Sequence, residues 1–377
     1  MIHFVHQPMI LEHLSVLHFK NIEQADLDFS PKINYFLGKN AMGKTNLLDA
    51  IYYLSFCKSH SNPIDTQNIS HKQEFALLQA NYLFEEERRE NFFCSIRHKH
   101  KKQFKRDKRE YERLSEHIGV LPLVIVSPAD TELIAGGSEL RRKFVDVILS
   151  QFDKEYLQSL IRYNKALMQR NALLKSDYPV EESLFEIWEE QLALEGKVIH
   201  SKREKFVEDF TPVFQEYYRR IASSDENIQF EYESHLNEGE LQPLLKEKRS
   251  RDQILGYTSV GIHKDYLEMR IGEYSIKRVG SQGQNKTYVV ALKLAQFDMM
   301  ARMGYTTPIL LLDDIFDKLD SQRVEQIIQI VSEDKFGQIF ITDTNRKYLD
   351  DILKKVNQNF HLYRVDNGQV EQLQSEE

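Results

Sequence analysis

The octet Gly38-Lys39-Asn40-Ala41-Met42-Gly43-Lys44-Thr45 constrains this 377-residue chain more than any other feature. It fits the pattern G-x-x-x-x-G-K-[ST] with no mismatch. Gly38 and Gly43 let the backbone bend until successive N–H groups point at phosphate oxygens. Lys44 supplies a point charge for the β and γ phosphates, and the Thr45 hydroxyl suits Mg²⁺. Residues 33–37 form a short apolar run that reads as a buried strand, and residues 46–54 carry apolar side chains at helical spacing. A helix beginning at Gly43 would aim its positive N-terminus at the phosphates. Binding of a nucleoside triphosphate is the expectation.

Far downstream, residues 307–314 read as an apolar strand ending in Asp313 and Asp314. The first acid can hold a metal directly or through water, and the second can orient or polarise an attacking water. An acidic pair also caps helices, but Asp317 or Asp320 would serve better there. Between the two motifs lies Ser281-Gln282-Gly283-Gln284, ahead of a long apolar helical pattern that runs from Tyr288 to Met300. Ser281 is placed to cap that helix, and Gly304 sits past its end. The order of phosphate loop, capped helix and Asp-Asp strand resembles the head of an ABC-type ATPase.

A net charge of −8 argues against a generally basic nucleic-acid coat, so any DNA contact must be a local patch. The best candidate is the run 97–109, within which Lys101, Lys102, Lys105 and Arg106 would neutralise phosphates. A solvated hairpin tip is the alternative reading of the same charges. Only Cys57 and Cys94 occur, without metal-ligand spacing, which points to a reduced, cytoplasmic setting. No apolar run reaches membrane-spanning length, and no signal peptide opens the chain. Strands are expected at 75–82 and 91–96, helices from 139 to 221 punctuated by Pro179 and Pro212, and a strand pair at 266–271 and 274–277. Residues 372–377 read as a frayed acidic tail.

Several strings make the chain similar to the RecF family of bacterial recombination mediators, relatives of SMC-type ATPases. They are His18-Phe19-Lys20-Asn21, Ser127-Pro128-Ala129-Asp130, Arg141-Arg142-Lys143-Phe144, Gln169-Arg170-Asn171-Ala172-Leu173-Leu174 and Gly261-Ile262-His263-Lys264-Asp265, besides the three motifs above. The resemblance implies an α/β ABC-type ATPase head: a phosphate-loop lobe with an antiparallel β subdomain and a mainly helical second lobe. A long coiled coil is not expected. Its implied divisions are 9–128, 129–265 and 266–377, with residues 1–8 as a leader.

The resemblance further implies ATP and Mg²⁺ as cofactors and a slow, DNA-stimulated ATPase. ATP contacts would come from Gly38 to Thr45 together with Lys20 and Asn21. Lys44 and Asp314 would be catalytic, and Thr45 and Asp313 would hold the metal. Ser281, Gln282, Gly283 and Gln284 would act in trans within an ATP-dependent homodimer. Implied partners are double-stranded DNA, junctions of single- and double-stranded DNA, RecR and RecO, with no membrane. Thr342-Asp343-Thr344 stands where transporter-type heads carry a switch histidine, and Ile262, Lys264 and Tyr266 depart from the family's frequent Pro, Arg and Asp. Two rivals are a phage-defence ATPase, which normally carries an appended nuclease domain, and a transporter-coupled subunit, which would lack the helical insert.

Overall fold

The structure, a computed structural model, describes residues 9–224, 226–304, 306–316, 319–344 and 360–376. The chain divides into two compact units, one from Met1–Asp130 with Gln296–Glu377, the other from Thr131–Ala295. The expected leader, residues 1–8, and Asp317 lie outside the described residues.

In the first unit come β1 (Ile10–Phe19), β2 (Ile22–Asp28), β3 (Ile33–Leu37), α1 (Lys44–Phe56), β4 (Phe75–Leu83), β5 (Arg89–Arg97), β6 (Gln103–Arg106), β7 (Arg109–Glu110) and β8 (Leu123–Val126). Six of these strands form an antiparallel sheet in the order β2-β1-β4-β5-β6-β7. Its alternation is the period of two that buries one face: Phe92, Cys94 and Ile96 point inward on β5, while Phe93, Ser95 and Arg97 do not.

The second unit holds α2 (Glu132–Ala135), α3 (Ser138–Phe152), α4 (Lys154–Leu174), α5 (Glu182–Ala222), β9 (Ile228–Glu233), α6 (Leu241–Leu255), β10 (Tyr266–Ile271), β11 (Tyr274–Ser275) and α7 (Ile276–Val279). The division falls within α8 (Gln282–Met303). On α5 the stripe Phe206, Phe210, Phe214, Tyr217 and Ile221 is buried at helical spacing. Pro212 lies inside this helix instead of ending it, a correction to the sequence reading. The Thr211 hydroxyl donates to the Val207 carbonyl in that turn, at 2.7 Å. The expected strand through residue 277 also stops early, at Ser275, where the chain turns into α7.

Returning to the first unit, the chain forms β12 (Ile309–Asp313), α9 (Ser321–Val331), β13 (Ile339–Asp343), β14 (Phe360–Asp366) and β15 (Gln369–Glu376). Asp320 caps α9 by accepting the Arg323 amide at 2.9 Å. The second six-stranded sheet runs β15-β14-β3-β13-β12-β8, parallel except for β15. Its strands β3, β12 and β13 are buried almost throughout, as parallel strands covered on both faces must be. The segment expected to fray is instead strand β15, paired with β14 through the two-residue turn Asn367-Gly368. Both turn residues have positive φ, 49° and 79°, the geometry that Asn-Gly accommodates.

Candidate nucleotide site

The ends of β3, β12 and β13, all parallel, bring the site together at their carboxyl edge, where ligands of such sheets bind. Leaving β3, the Gly38 amide donates to the Asp343 carbonyl at 3.3 Å. A Cβ on Gly38 would lie 2.3 Å from the Val365 carbonyl oxygen, so only glycine fits. Gly43 has φ 113°, and a Cβ there would meet Asn21 Oδ1 at 2.8 Å. The Asn46 and Leu47 amides start α1 on the Gly43 carbonyl, at 3.0 and 3.1 Å. That first turn carries no acid of its own, which leaves its positive end for an anion.

Lys44 donates to the carbonyls of Gly38, at 2.8 Å, and Lys39, at 3.0 Å, while Asp314 Oδ2 lies 4.0 Å away. These bonds curl the loop around the ammonium, with the side chain 3% exposed. From β12, Asp313 accepts the Thr45 hydroxyl at 2.9 Å and the Thr342 hydroxyl at 2.7 Å, both on Oδ1. Burial pushes the Asp313 carboxyl up from its ordinary value, against the two hydroxyl donors. Asp314 adopts φ 45°, and its amide donates to Thr342 Oγ1 at 3.0 Å. A non-glycine residue held in the left-handed region marks a constrained position.

Thr342 and Asp343 are site residues whose roles the sequence did not reveal. Thr342 orients both acids, and Asp343 carries Gly38 on its carbonyl while its carboxylate accepts Tyr35 Oη at 2.8 Å. The β14–β15 turn is the other missed element. The Gly368 amide donates to the Met42 carbonyl at 2.8 Å, and a Cβ on Gly368 would lie 2.1 Å from the Asn21 carbonyl oxygen. The Asn-Gly dipeptide was the signal that could have found it.

Asn21 accepts the Asn46 side-chain amide at 2.7 Å beside the loop. Lys20 is engaged differently: its ammonium pairs with the buried carboxylate of Asp49 on α1 and donates to Ser61 Oγ at 2.6 Å. In the second unit, Ser281 and Gln284 make a reciprocal capping box. Ser281 Oγ accepts the Gln284 amide at 3.2 Å, and Gln284 Oε1 accepts the Ser281 amide at 3.0 Å. Ser281 and Gln282 are exposed, Gly283 and Gln284 partly so.

The basic run is not a uniform cationic surface. Arg106 makes a two-pronged pair with the buried Glu90 at 2.6 and 2.7 Å, and Lys102 pairs with Asp65 at 2.9 Å. Both cations are engaged in ion pairs within the first unit. Lys105 lies over the Phe93 ring, and Lys101 is exposed. Arg170 is fully buried among Glu189, Asp252, Thr258 and the Leu245 carbonyl, and Arg141 donates to carbonyls of Leu267, Leu133 and Gly136. These family-string residues hold the second unit together.

A match to the family described as RecF/RecN/SMC N terminal domain spans residues 10–371. Over 369 residues, 98% of this chain and 100% of the relative, it is 57% identical to the DNA replication and repair protein RecF of Bacteroides thetaiotaomicron. The chain belongs to the RecF family. The RecF of Parabacteroides distasonis is 60% identical over 97% of this chain and all of its own length. Among solved structures, the recombination mediator protein RecF-ATP of the RecFOR pathway superposes with TM-score 0.89 at 27% identity, covering 99% of this chain and 100% of that one. An SMC head domain from Pyrococcus furiosus shares the fold, with TM-score 0.57 at 15% identity, covering 97% of this chain and 96% of that one. Neither rival reading, defence ATPase or transporter subunit, is favoured by these RecF likenesses. The ABC-type head without a long coiled coil agrees with the sequence reading, and no described helix is long and apolar enough to cross a membrane.

Proposed function

We propose that this RecF-family chain is an ATP-dependent DNA-binding ATPase of recombinational repair and replication restart. The observation that carries the reading is the convergence of Lys44, Thr45, Asp313, Asp314 and Thr342 at one sheet edge. Phosphates would be held by loop amides that follow Gly38, whose own amide is taken by the Asp343 carbonyl, with Lys44 exchanging loop carbonyls for phosphate oxygens. Thr45 and Asp313 offer adjacent hard oxygens of the type that hold Mg²⁺, so the donor set fits that ion. When bound, Mg²⁺ would neutralise charge on the β and γ phosphates. Asp314, fixed by its amide to Thr342, would orient the attacking water and accept its proton.

The exposed, capped N-terminus of α8 supports a second role for Ser281, Gln282, Gly283 and Gln284. In a two-fold dimer this turn would meet the γ-phosphate held by the partner subunit, giving two equivalent composite sites. Loss of the γ-phosphate would then weaken the dimer and release what it holds. Duplex DNA near gaps and single-/double-strand junctions is the proposed cargo, with RecO and RecR loading recombinase on the adjoining single strand. The proposed setting is the reducing cytoplasm, where the buried Cys57 and Cys94 stay thiols. Equilibrium ATP binding is the direct test. Lys44→Ala should lose binding, and Asp314→Asn should bind ATP yet turn over at least about 100-fold more slowly. Wild-type turnover by Asp314→Asn would overturn the assignment.

A further inference from the structure

The β5–β6 hairpin tip is both an exposed cationic segment and an anchor of the phosphate-loop helix. Residues 97–102 read Arg-His-Lys-His-Lys-Lys, four cations and two histidines without an acid. The first five of these are exposed. Lys102, the sixth, turns inward and is 12% exposed. Its ammonium donates to Asp65 Oδ2 at 2.9 Å, to Tyr53 Oη at 3.1 Å and to the Cys57 carbonyl. Tyr53 is fully buried on α1 and itself donates to Asp65.

Cys57 is the C-cap of α1, in the left-handed conformation at φ 54°. The helix has no basic residue in its own last turn, so Lys102 supplies the cation that its negative end attracts. The other end of the same helix is Lys44 and Thr45, 13 residues or about 20 Å away. One rigid element therefore has the phosphate loop at one end and the cationic hairpin latched to the other.

We propose that Lys102 is a positioning residue through which a duplex DNA backbone held by Arg97, Lys99 and Lys101 alters nucleotide turnover at the far end of α1. This rests on the ATPase and DNA-binding reading above. The exposed cations and the Lys102 ammonium share one hairpin tip, so phosphates bound there change the field in which that ammonium holds the helix C-terminus. Coupling of this kind is reciprocal, so the nucleotide also tunes duplex affinity.

The test uses the full chain and a mixed-sequence duplex at fixed low salt, reading duplex affinity separately from the ratio of turnover with duplex to turnover without. Lys102→Met should bind duplex within about threefold of wild type, with its ratio reduced to about one. Lys102→Arg should restore most of the ratio, which distinguishes coupling from general damage. Asp65→Asn should reduce the ratio by itself, and combining it with Lys102→Met should add little further loss. Joint Lys99→Glu and Lys101→Glu substitution should weaken duplex binding about tenfold or more. A wild-type ratio in Lys102→Met, or unchanged affinity in the double charge reversal, overturns the proposal. Wild-type protein that bound duplex without any change in turnover would remove the coupling and leave the ATPase reading standing. Wild-type protein that bound no duplex would remove the DNA reading as well.

Discussion

The Thr342 hydroxyl donates to Asp313 Oδ1 at 2.7 Å while accepting the Asp314 amide at 3.0 Å. One side chain on β13 thereby sets the orientation of both acids at the end of β12, its parallel neighbour. Thr342→Val keeps the shape and removes both bonds. Turnover should fall about 10- to 100-fold with ATP affinity within about threefold of wild type, as expected for an orienting group. Steady-state ATPase assays beside nucleotide titration check this, and an unchanged kcat would reassign the residue to packing.

Gly368 supports the phosphate loop through its amide bond to the Met42 carbonyl. Its φ of 79° is unfavourable for alanine, and the added Cβ would lie 2.1 Å from the Asn21 carbonyl oxygen. Gly368→Ala should cost about 2 kcal/mol or more and weaken ATP binding. Thermal melting and nucleotide titration read the two effects independently.

Legibility in the sequence followed locality. The phosphate loop, the Asp313-Asp314 strand end and the Ser281 cap each depend on residue types at fixed spacing within one element, and all could be read in advance. Thr342 could not, because its value lies in a partner 29 positions earlier that only the parallel pairing of β12 and β13 brings near. Lys102 and Arg106 read as free charges because their partners, Asp65 and Glu90, belong to other segments. Strand β15 was hidden by its polarity: Gln369, Glu371 and Gln372 are exposed, and the strand is held by backbone pairing to β14. Pro212 misled because tertiary burial of Phe210 and Phe214 on either side overrides the local cost of proline.

His263 gives the second unit a pH dependence. Its imidazole lies between Tyr163 Oη at 2.9 Å and the Thr258 carbonyl at 3.0 Å. Burial, with Lys264, Arg142 and His235 nearby, lowers its pKa from 6.5 to about 4, despite the opposing bond to Thr258. The unfolded chain therefore takes up a proton before the folded one does. Stability contributed by the neutral ring is present above pH 6.5 and is lost as pH falls towards 4, by about 3 kcal/mol. Denaturant melts of wild type and His263→Gln across this window should show a shallower pH slope in the variant.

Ser281 separates binding from assembly. Ser281→Arg should leave ATP affinity within about twofold and abolish ATP-dependent dimerisation, since a bulky cation at the exposed turn would block the approach of a second subunit. Sedimentation of the variant with ATP decides the matter, and a normal dimer would sink the trans-acting role.

The central claim is that nucleotide state gates the hold on DNA. Its most direct test is duplex binding by Asp314→Asn protein, followed by fluorescence anisotropy with and without ATP and Mg²⁺. Tight binding is expected only when both are present, because the trapped triphosphate keeps the dimer closed. Equal binding in the two conditions, or none in either at low salt, would contradict it.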